Sequence, residues 1–166
     1  MQEKLEKFNF NDLFILDLAN NHQGSLEHGL DIIRTYSKIC KEFNIKAAFK
    51  FQFRDLPDFV HYEEQKNPTN KHVNRFLSTK LSWDDFNKLR EEVANQGFLA
   101  ACTPFDENSV DKIMEMNFDI IKIASCSAFD FPLLESITST GIPIVASTGG
   151  LKLNEVDELV SFLRHK

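Results

Sequence analysis

No stretch of this sequence approaches the ~20 consecutive apolar residues that a bilayer-spanning helix needs, so no membrane partner is expected. Positive charge is also scarce. Lys and Arg number 19 against 25 Asp and Glu, a net charge of −6. That balance argues against a general nucleic-acid or anionic-membrane binder, and any anionic ligand must be held by local lysines. Cysteine is limited to Cys40, Cys102 and Cys126, an odd count without metal-ligand spacing. Reduced thiols and a cytoplasmic location are the expectation. The N-terminal Met1–Lys7 stretch is charged and lacks the apolar segment of a secretion signal.

The 166 residues are enough for one domain with a real core, and 42% hydrophobic with 27% charged residues reads as globular. Five short apolar runs each end in a polar cluster. Leu13–Leu18 precedes Asn20-Asn21-His22-Gln23-Gly24, and Ala47–Phe49 precedes Lys50-Phe51-Gln52. Phe98–Cys102 precedes Thr103-Pro104-Phe105-Asp106, and Ile120-Ile121 precedes Lys122-Ile123-Ala124-Ser125. Ile142–Ala146 precedes Ser147-Thr148-Gly149-Gly150. A helical pattern follows each cluster. Strand, polar tip and helix in repetition is how a parallel α/β protein collects functional groups at one edge of its sheet.

Strands are predicted over residues 12–18, 47–52, 98–102, 119–123 and 142–147. Ser25 is placed to cap the first helix, whose inner face reads as Ile32, Tyr36, Ile39 and Phe43, widened by Leu26, Leu30 and Ile33. Ser82 with Asp85 suggests a capping box, followed by Phe86, Leu89 and Val93 and ended by Gly97. Asp106 should cap the helix of Val110, Ile113 and Met114. Pro132 suits the first turn of the next, with Leu133, Leu134 and Ile137 inward and Gly141 as its stop. Asn154 with Asp157 is expected to cap the last helix, built on Val156, Leu159, Val160 and Leu163. Residues 53–81, rich in Asp, Asn, His, Lys and Pro, read as a long irregular β2α2 loop, a lid or substrate-side excursion. Its Lys66, Lys71, His72, Arg75 and Lys80 make it locally basic.

A doubly wound dinucleotide fold would want a Gly-rich first turn, and Asn-Asn-His-Gln-Gly is the wrong chemistry. The polar tips also recur on every strand instead of gathering at one switch point. Both facts favour a partial TIM (β/α)₈ barrel holding the first five βα units. A full barrel takes ~250 residues, so residues 1–166 read as the N-terminal portion of a longer one.

Lys50 and Lys122 are the strongest candidates for chemistry. Each sits at the end of an apolar strand, where it points into the barrel mouth or outward past a helix. An unpaired buried ammonium is costly, so an inward lysine implies an anionic partner, phosphate or carboxylate. The alternative is pairing with a core carboxylate such as Asp17. Asp17 itself could orient a sugar hydroxyl, assist proton transfer or pair with a lysine. Thr103, Ser125, Ser147 and Thr148 add hydroxyl donors at the same edge, with helix N-termini behind them. His22 could hydrogen-bond a ligand but is a poor metal ligand alone. Cys126 has no neighbouring base in sequence to activate it.

Read in order, the five tips resemble the sialic acid synthase family, barrel enzymes that condense phosphoenolpyruvate with N-acylated sugars. The resemblance runs from about residue 13 to 160 and includes Thr103-Pro104-Phe105-Asp106-Glu107-Asn108-Ser109-Val110-Asp111. It implies a transferase in which the enol carbon of phosphoenolpyruvate attacks the aldehyde of an open-chain sugar, N-acetylmannosamine in well-known members. Water then adds and phosphate leaves. Asp17, Lys50 and Lys122 would be catalytic, and Asn21, His22, Gln52, Thr103, Ser125, Ser127 and Ser147 would bind substrate. A divalent metal, commonly manganese (Mn2+), would polarise the aldehyde, with ligands expected beyond Lys166 and none in this chain. Partners would be phosphoenolpyruvate and an N-acylated sugar, with a homo-oligomer as an option.

Two departures bear on the sugar. The family commonly has Glu where this chain has Asp17, and Gly-Glu where it has Cys126-Ser127. The phosphoenolpyruvate half transfers, and the sugar stays open. Alternatives are a Schiff-base aldolase using Lys50 or Lys122, and a non-catalytic half-barrel assembly module. With five of eight βα units, the span alone is expected to be inactive and to leave strand edges unpaired.

Overall fold

The computed structural model describes residues 8–66 and 68–166; the charged Met1–Lys7 segment lies outside them. Among the described residues, five strands form one parallel sheet: β1 (Phe14–Ala19), β2 (Ala47–Phe53), β3 (Leu99–Pro104), β4 (Ile120–Ile123) and β5 (Ile144–Ala146). They lie side by side in chain order, β1-β2-β3-β4-β5. A doubly wound sheet reverses its order part-way, and here there is no reversal. One-directional winding with a helix after every strand is the path of a (β/α)₈ barrel, five units of it. Sheet edges remain at β1 and β5.

The helices are α1 (Leu26–Glu42), α2 (Leu56–Phe59), α3 (Tyr62–Lys66), α4 (Lys71–Ser78), α5 (Trp83–Asn95), α6 (Glu107–Glu115), α7 (Phe131–Ser139) and α8 (Leu153–His165). Their starts follow side-chain chemistry. Ser25 Oγ accepts from the His28 N–H, Ser82 Oγ from that of Asp85, and Asp106 Oδ1 from that of Ser109. Gly97 and Gly141, both at positive φ, follow α5 and α7. The last cap differs from expectation. It is Lys152, whose N–H donates to Glu155 Oε2 at 2.6 Å, and α8 begins one residue before Asn154. The reach of Glu155 back to the preceding turn outcompetes the shorter Asp157.

Two further corrections concern packing. Segment 53–81 is not irregular, because it folds into α2, α3 and α4 between β2 and α5. The inner face of α1 is Gly29, Ile33, Ser37 and Cys40. Tyr36, Ile39 and Phe43 are exposed. A Cβ on Gly29 would lie 2.8 Å from Leu89 Cδ2. The small side chains let α1 approach α5 closely, which turns the bulkier stripe outward.

The sheet's two faces differ in kind. On the helix side lie Leu18, Phe49, Phe51, Phe53, Ala100, Cys102, Ile121 and Ile123, packed with Ile33, Leu89, Val93, Ile113 and Leu134 in one buried cluster. Phe53 meets Phe86 at 4.8 Å and Phe118 at 5.4 Å between ring centroids. The opposite face carries a small cluster of Ala48, Ala101 and Ile120, flanked by Leu13, Leu99 and Val145. Above it, along the same alternation, stand the polar residues.

Candidate active site

Strand alternation puts Lys50 and Gln52 on the face of Ala48, Thr103 on that of Ala101 and Lys122 on that of Ile120. Register fixes their heights. Lys50 is level with Asp17 and Ala101, and Ala101 with Ile120. Gln52 is level with Thr103, one row up, and Lys122 with Val145. Two lysines from strands two apart therefore share the barrel-side face, one row offset.

Lys50 is ion-paired with Asp17, its own side chain largely buried at 13% exposure and the carboxylate open at 63%. Lys122 has no salt-bridge partner among the described residues. Burial pushes its ammonium pKa down, and the charge of Lys50 pushes it further in the same direction. The two cations thus act on one another. Thr103 is buried and its Oγ1 has no hydrogen-bond partner among the described residues. An unpaired buried hydroxyl beside two cations is a polar group awaiting an acceptor.

The tips of β4 and β5 meet beside this row. Ser125–Ser127 form a 3₁₀ turn, and Ser127 is buried. A Cβ on Gly149 would lie 3.9 Å from Ser125 Oγ, and the Ser147 N–H donates to Ile123 O at 3.0 Å. Cys126 is exposed and free, as are the buried Cys40 and Cys102 of any disulfide. Burial lifts the Cys102 thiol well above its usual range, which makes it inert.

The tip of β1 is different. The β1–β2 register shifts between Asp17 and Ala19, and Ala19 itself takes φ +39°. The Asn21 amide donates to Asp17 O at 2.8 Å, which staples the loop. His22 is fully buried, edge-on to Phe86 at 5.7 Å, and its Nδ1 accepts from the Gly24 N–H at 3.1 Å. Burial lowers its pKa to about 4. His22 packs against Phe86 and Gly29, and its buried Nε2 has no hydrogen-bond partner among the described residues.

Arg54 was not singled out by sequence, although it continues the 48-50-52 alternation one step past β2. Its guanidinium carbon lies 3.8 Å from the Phe105 ring centroid and 4.2 Å from that of Phe76. Both terminal nitrogens donate to Gln52 Oε1 at 3.3 Å. Burial brings its pKa down to about 10. A cavity of about 290 Å³ opens here, lined by Asn20, Gln52, Arg54, Lys80 and Trp83 among others. Asp106 ties the excursion down, its Oδ2 accepting from the Asp55 N–H at 2.8 Å.

Among the described residues no three His, Cys, Asp or Glu side chains converge as a metal-ligand set. No described helix is long and apolar enough to cross a membrane.

Residues 38–166 match the NeuB family. The chain belongs to that family. It is 36% identical over 161 residues to the N,N'-diacetyllegionaminic acid synthase of Campylobacter jejuni, covering 91% of this chain and 46% of that protein. To the human N-acetylneuraminate-9-phosphate synthase it is 25% identical over 159 residues, with 90% and 42% covered. The crystal structure of a Chromobacterium violaceum spore coat polysaccharide biosynthesis protein E superposes with TM-score 0.89 at 45% identity, covering 93% of this chain and 46% of that one. The N-acetylneuraminic acid synthetase of Leptospira borgpetersenii, crystallised with citrate, gives 0.74 at 26%, with 93% and 50% covered. The chain spans about half or less of the length of the relatives it matches. The NeuB family relationship carries the general class, a sugar-acid synthase family built on a (β/α) barrel.

Proposed function

We propose that the full-length protein condenses phosphoenolpyruvate with an N-acylated aldose to give a nonulosonic acid and phosphate, and that residues 1–166 supply the N-terminal part of its barrel. The observation that carries the reading is the shared face of Lys50 and Lys122 with the unpartnered Thr103 Oγ1 between their strands. A trianionic ester needs cations and hydroxyl donors converging where water is scarce. Lys50, Lys122, Thr103, Ser125 and Ser147 would grip phosphoenolpyruvate, and the two ammonium groups would offset charge that grows as the enol carbon attacks the aldehyde. Water then adds at the adjacent, phosphate-bearing carbon, and the C–O bond from that carbon to phosphate breaks. Gln52, Asn21 and Ser127 are the candidates for the sugar side, where Ser127 stands in place of the family's usual carboxylate. The names of the relatives, synthases of neuraminate and legionaminate type, support the product class.

A divalent cation, Mn2+ by the family resemblance, would have to draw its ligands from beyond Lys166, since the residues described here offer no set for it. The span alone is accordingly expected to show no turnover. Three free thiols, one of them exposed, suit a cytoplasmic enzyme. In the full-length protein the remaining strands of the barrel would close on the β1 and β5 edges.

The test is release of inorganic phosphate from phosphoenolpyruvate by the full-length protein against a panel of N-acylated aldoses. Phosphate release that depends on one aldose supports the synthase. A second reading draws on the lowered pKa of Lys122, which favours a neutral amine nucleophile beside a second cation, as in Schiff-base enzymes. Borohydride trapping of a carbonyl substrate on Lys122, with no phosphate released, would replace the first reading by the second.

A further inference from the structure

The Gln52 side chain has two ends of similar shape and opposite chemistry, a carbonyl oxygen that accepts and an NH₂ that donates. A guanidinium has donors only. With both terminal nitrogens of Arg54 3.3 Å from one Gln52 atom, that atom must be the oxygen. Among the described residues the amide nitrogen has no protein partner, and Gln52 lines the 290 Å³ cavity. Arg54 has little freedom to do otherwise. It is clamped between Phe105 and Phe76, half-buried, with its Nε buried and unpartnered.

We propose that Arg54 is a positioning residue that fixes Gln52 as a pure hydrogen-bond donor, so that the site reads an oxygen acceptor on its ligand at this point. A hydroxyl, carbonyl or carboxylate oxygen satisfies it, and an ammonium or amide N–H is rejected. Phe76 belongs to α4 and Phe105 to the β3–α6 connection. The docking of the excursion therefore sets the orientation of a residue in the lysine row. The excursion acts through Arg54 and need not touch the ligand itself. Only the identity of the ligand rests on the synthase reading. The orientation of the amide does not.

The experiment uses the full-length protein and the variants Arg54→Met, Arg54→Lys and Gln52→Glu. Glu at 52 keeps the shape and the Arg54 contact and removes both N–H donors. The Gln52 NH₂ signals in a ¹H–¹⁵N spectrum are assigned by their loss in Gln52→Glu. They are expected to move in Arg54→Met and to return toward their original positions in Arg54→Lys. In kinetics, Arg54→Met and Gln52→Glu should each raise KM for the same one substrate about tenfold, the scale of one lost hydrogen bond to a polar ligand, with kcat little changed. Amide signals that stay in place in a folded Arg54→Met protein would overturn the proposal. So would a fall in kcat with both KM values unmoved. Should Arg54→Met not fold, Phe76→Leu loosens the clamp without touching Gln52 and carries the same readouts. If the wild-type protein turns over no phosphoenolpyruvate, the synthase reading fails while the spectrum still decides the orientation of Gln52.

Discussion

Lys50 and Asp17 are ion-paired where β1 and β2 are in register, with the ammonium buried and the carboxylate facing open space. The pair neutralises Lys50 until something more anionic arrives. Asp17 then competes with the ligand for the same cation. Asp17→Asn should therefore tighten inorganic phosphate and phosphoenolpyruvate binding severalfold at low salt, measured by titration calorimetry, and the gain should shrink as salt screens it. Folding stability should change by no more than about 1 kcal/mol, because one partner is solvent-exposed. Weaker anion binding in Asp17→Asn would show that the carboxylate orients Lys50 toward the ligand and does not compete with it.

Lys122 lacks such a partner, and its cost is visible in its lowered pKa. A lysine whose folded pKa lies below the unfolded value loses its proton first in the folded state. The unfolded chain holds more protons in that interval, so stability rises with pH up to the unfolded lysine range. Lys122→Met should flatten that alkaline rise and melt at or above the wild-type temperature at pH 7. Phosphate release by the full-length protein should nonetheless fall by about 100-fold or more, the usual scale for removing a charge that stabilises a transition state. A variant that melts lower and keeps its turnover would assign Lys122 to structure.

The strand tips were legible because polar residues terminating apolar runs have few other places to go in a parallel sheet. Lys50, Gln52, Thr103 and Lys122 were found that way, and the β2–β3 and β3–β4 registers bring them to one face. His22 lies buried for a local reason. Ala19 at positive φ turns the chain under itself, and nothing in Asn-Asn-His-Gln-Gly announces that turn. The α1 stripe was misread because periodicity weights large apolar residues, whereas the contact with α5 is made by small ones. Arg54 was missed because its partners Phe76 and Phe105 are distant in sequence, and a cation between two rings has no linear signature. The helices α2, α3 and α4 are too short to impose a period on segment 53–81.

Gly29 gives a direct test of the α1–α5 contact. Alanine favours helix by about 1 kcal/mol over glycine, yet its Cβ would sit 2.8 Å from Leu89 Cδ2 and 3.3 Å from His22 Cβ. Leu89 is fully buried and has little room to retreat. Overpacking of this kind costs about 1–3 kcal/mol, so Gly29→Ala should destabilise on balance in urea unfolding. Leu89→Ala in the same chain should make the second change cost less than it does alone, a positive coupling in the double-mutant cycle. Additive effects would mean that the helices are farther apart than this contact requires.

His22 makes the acid limb of stability predictable. Its folded pKa is lowered to about 4 by burial, against an ordinary value of 6.5. Between those two values the unfolded chain takes up a proton at this ring that the folded chain does not. Stability attributable to His22 is thus complete above pH 6.5 and falls as the pH drops toward 4, by about 2 kcal/mol at pH 4.5. In His22→Asn a side-chain oxygen can still accept from the Gly24 N–H, and nothing titrates. Chemical unfolding at pH 7 and at pH 4.5 should show the wild-type protein losing about 2 kcal/mol more than the variant over that interval. Equal losses would mean that the imidazole reaches water in the folded state, against its complete burial.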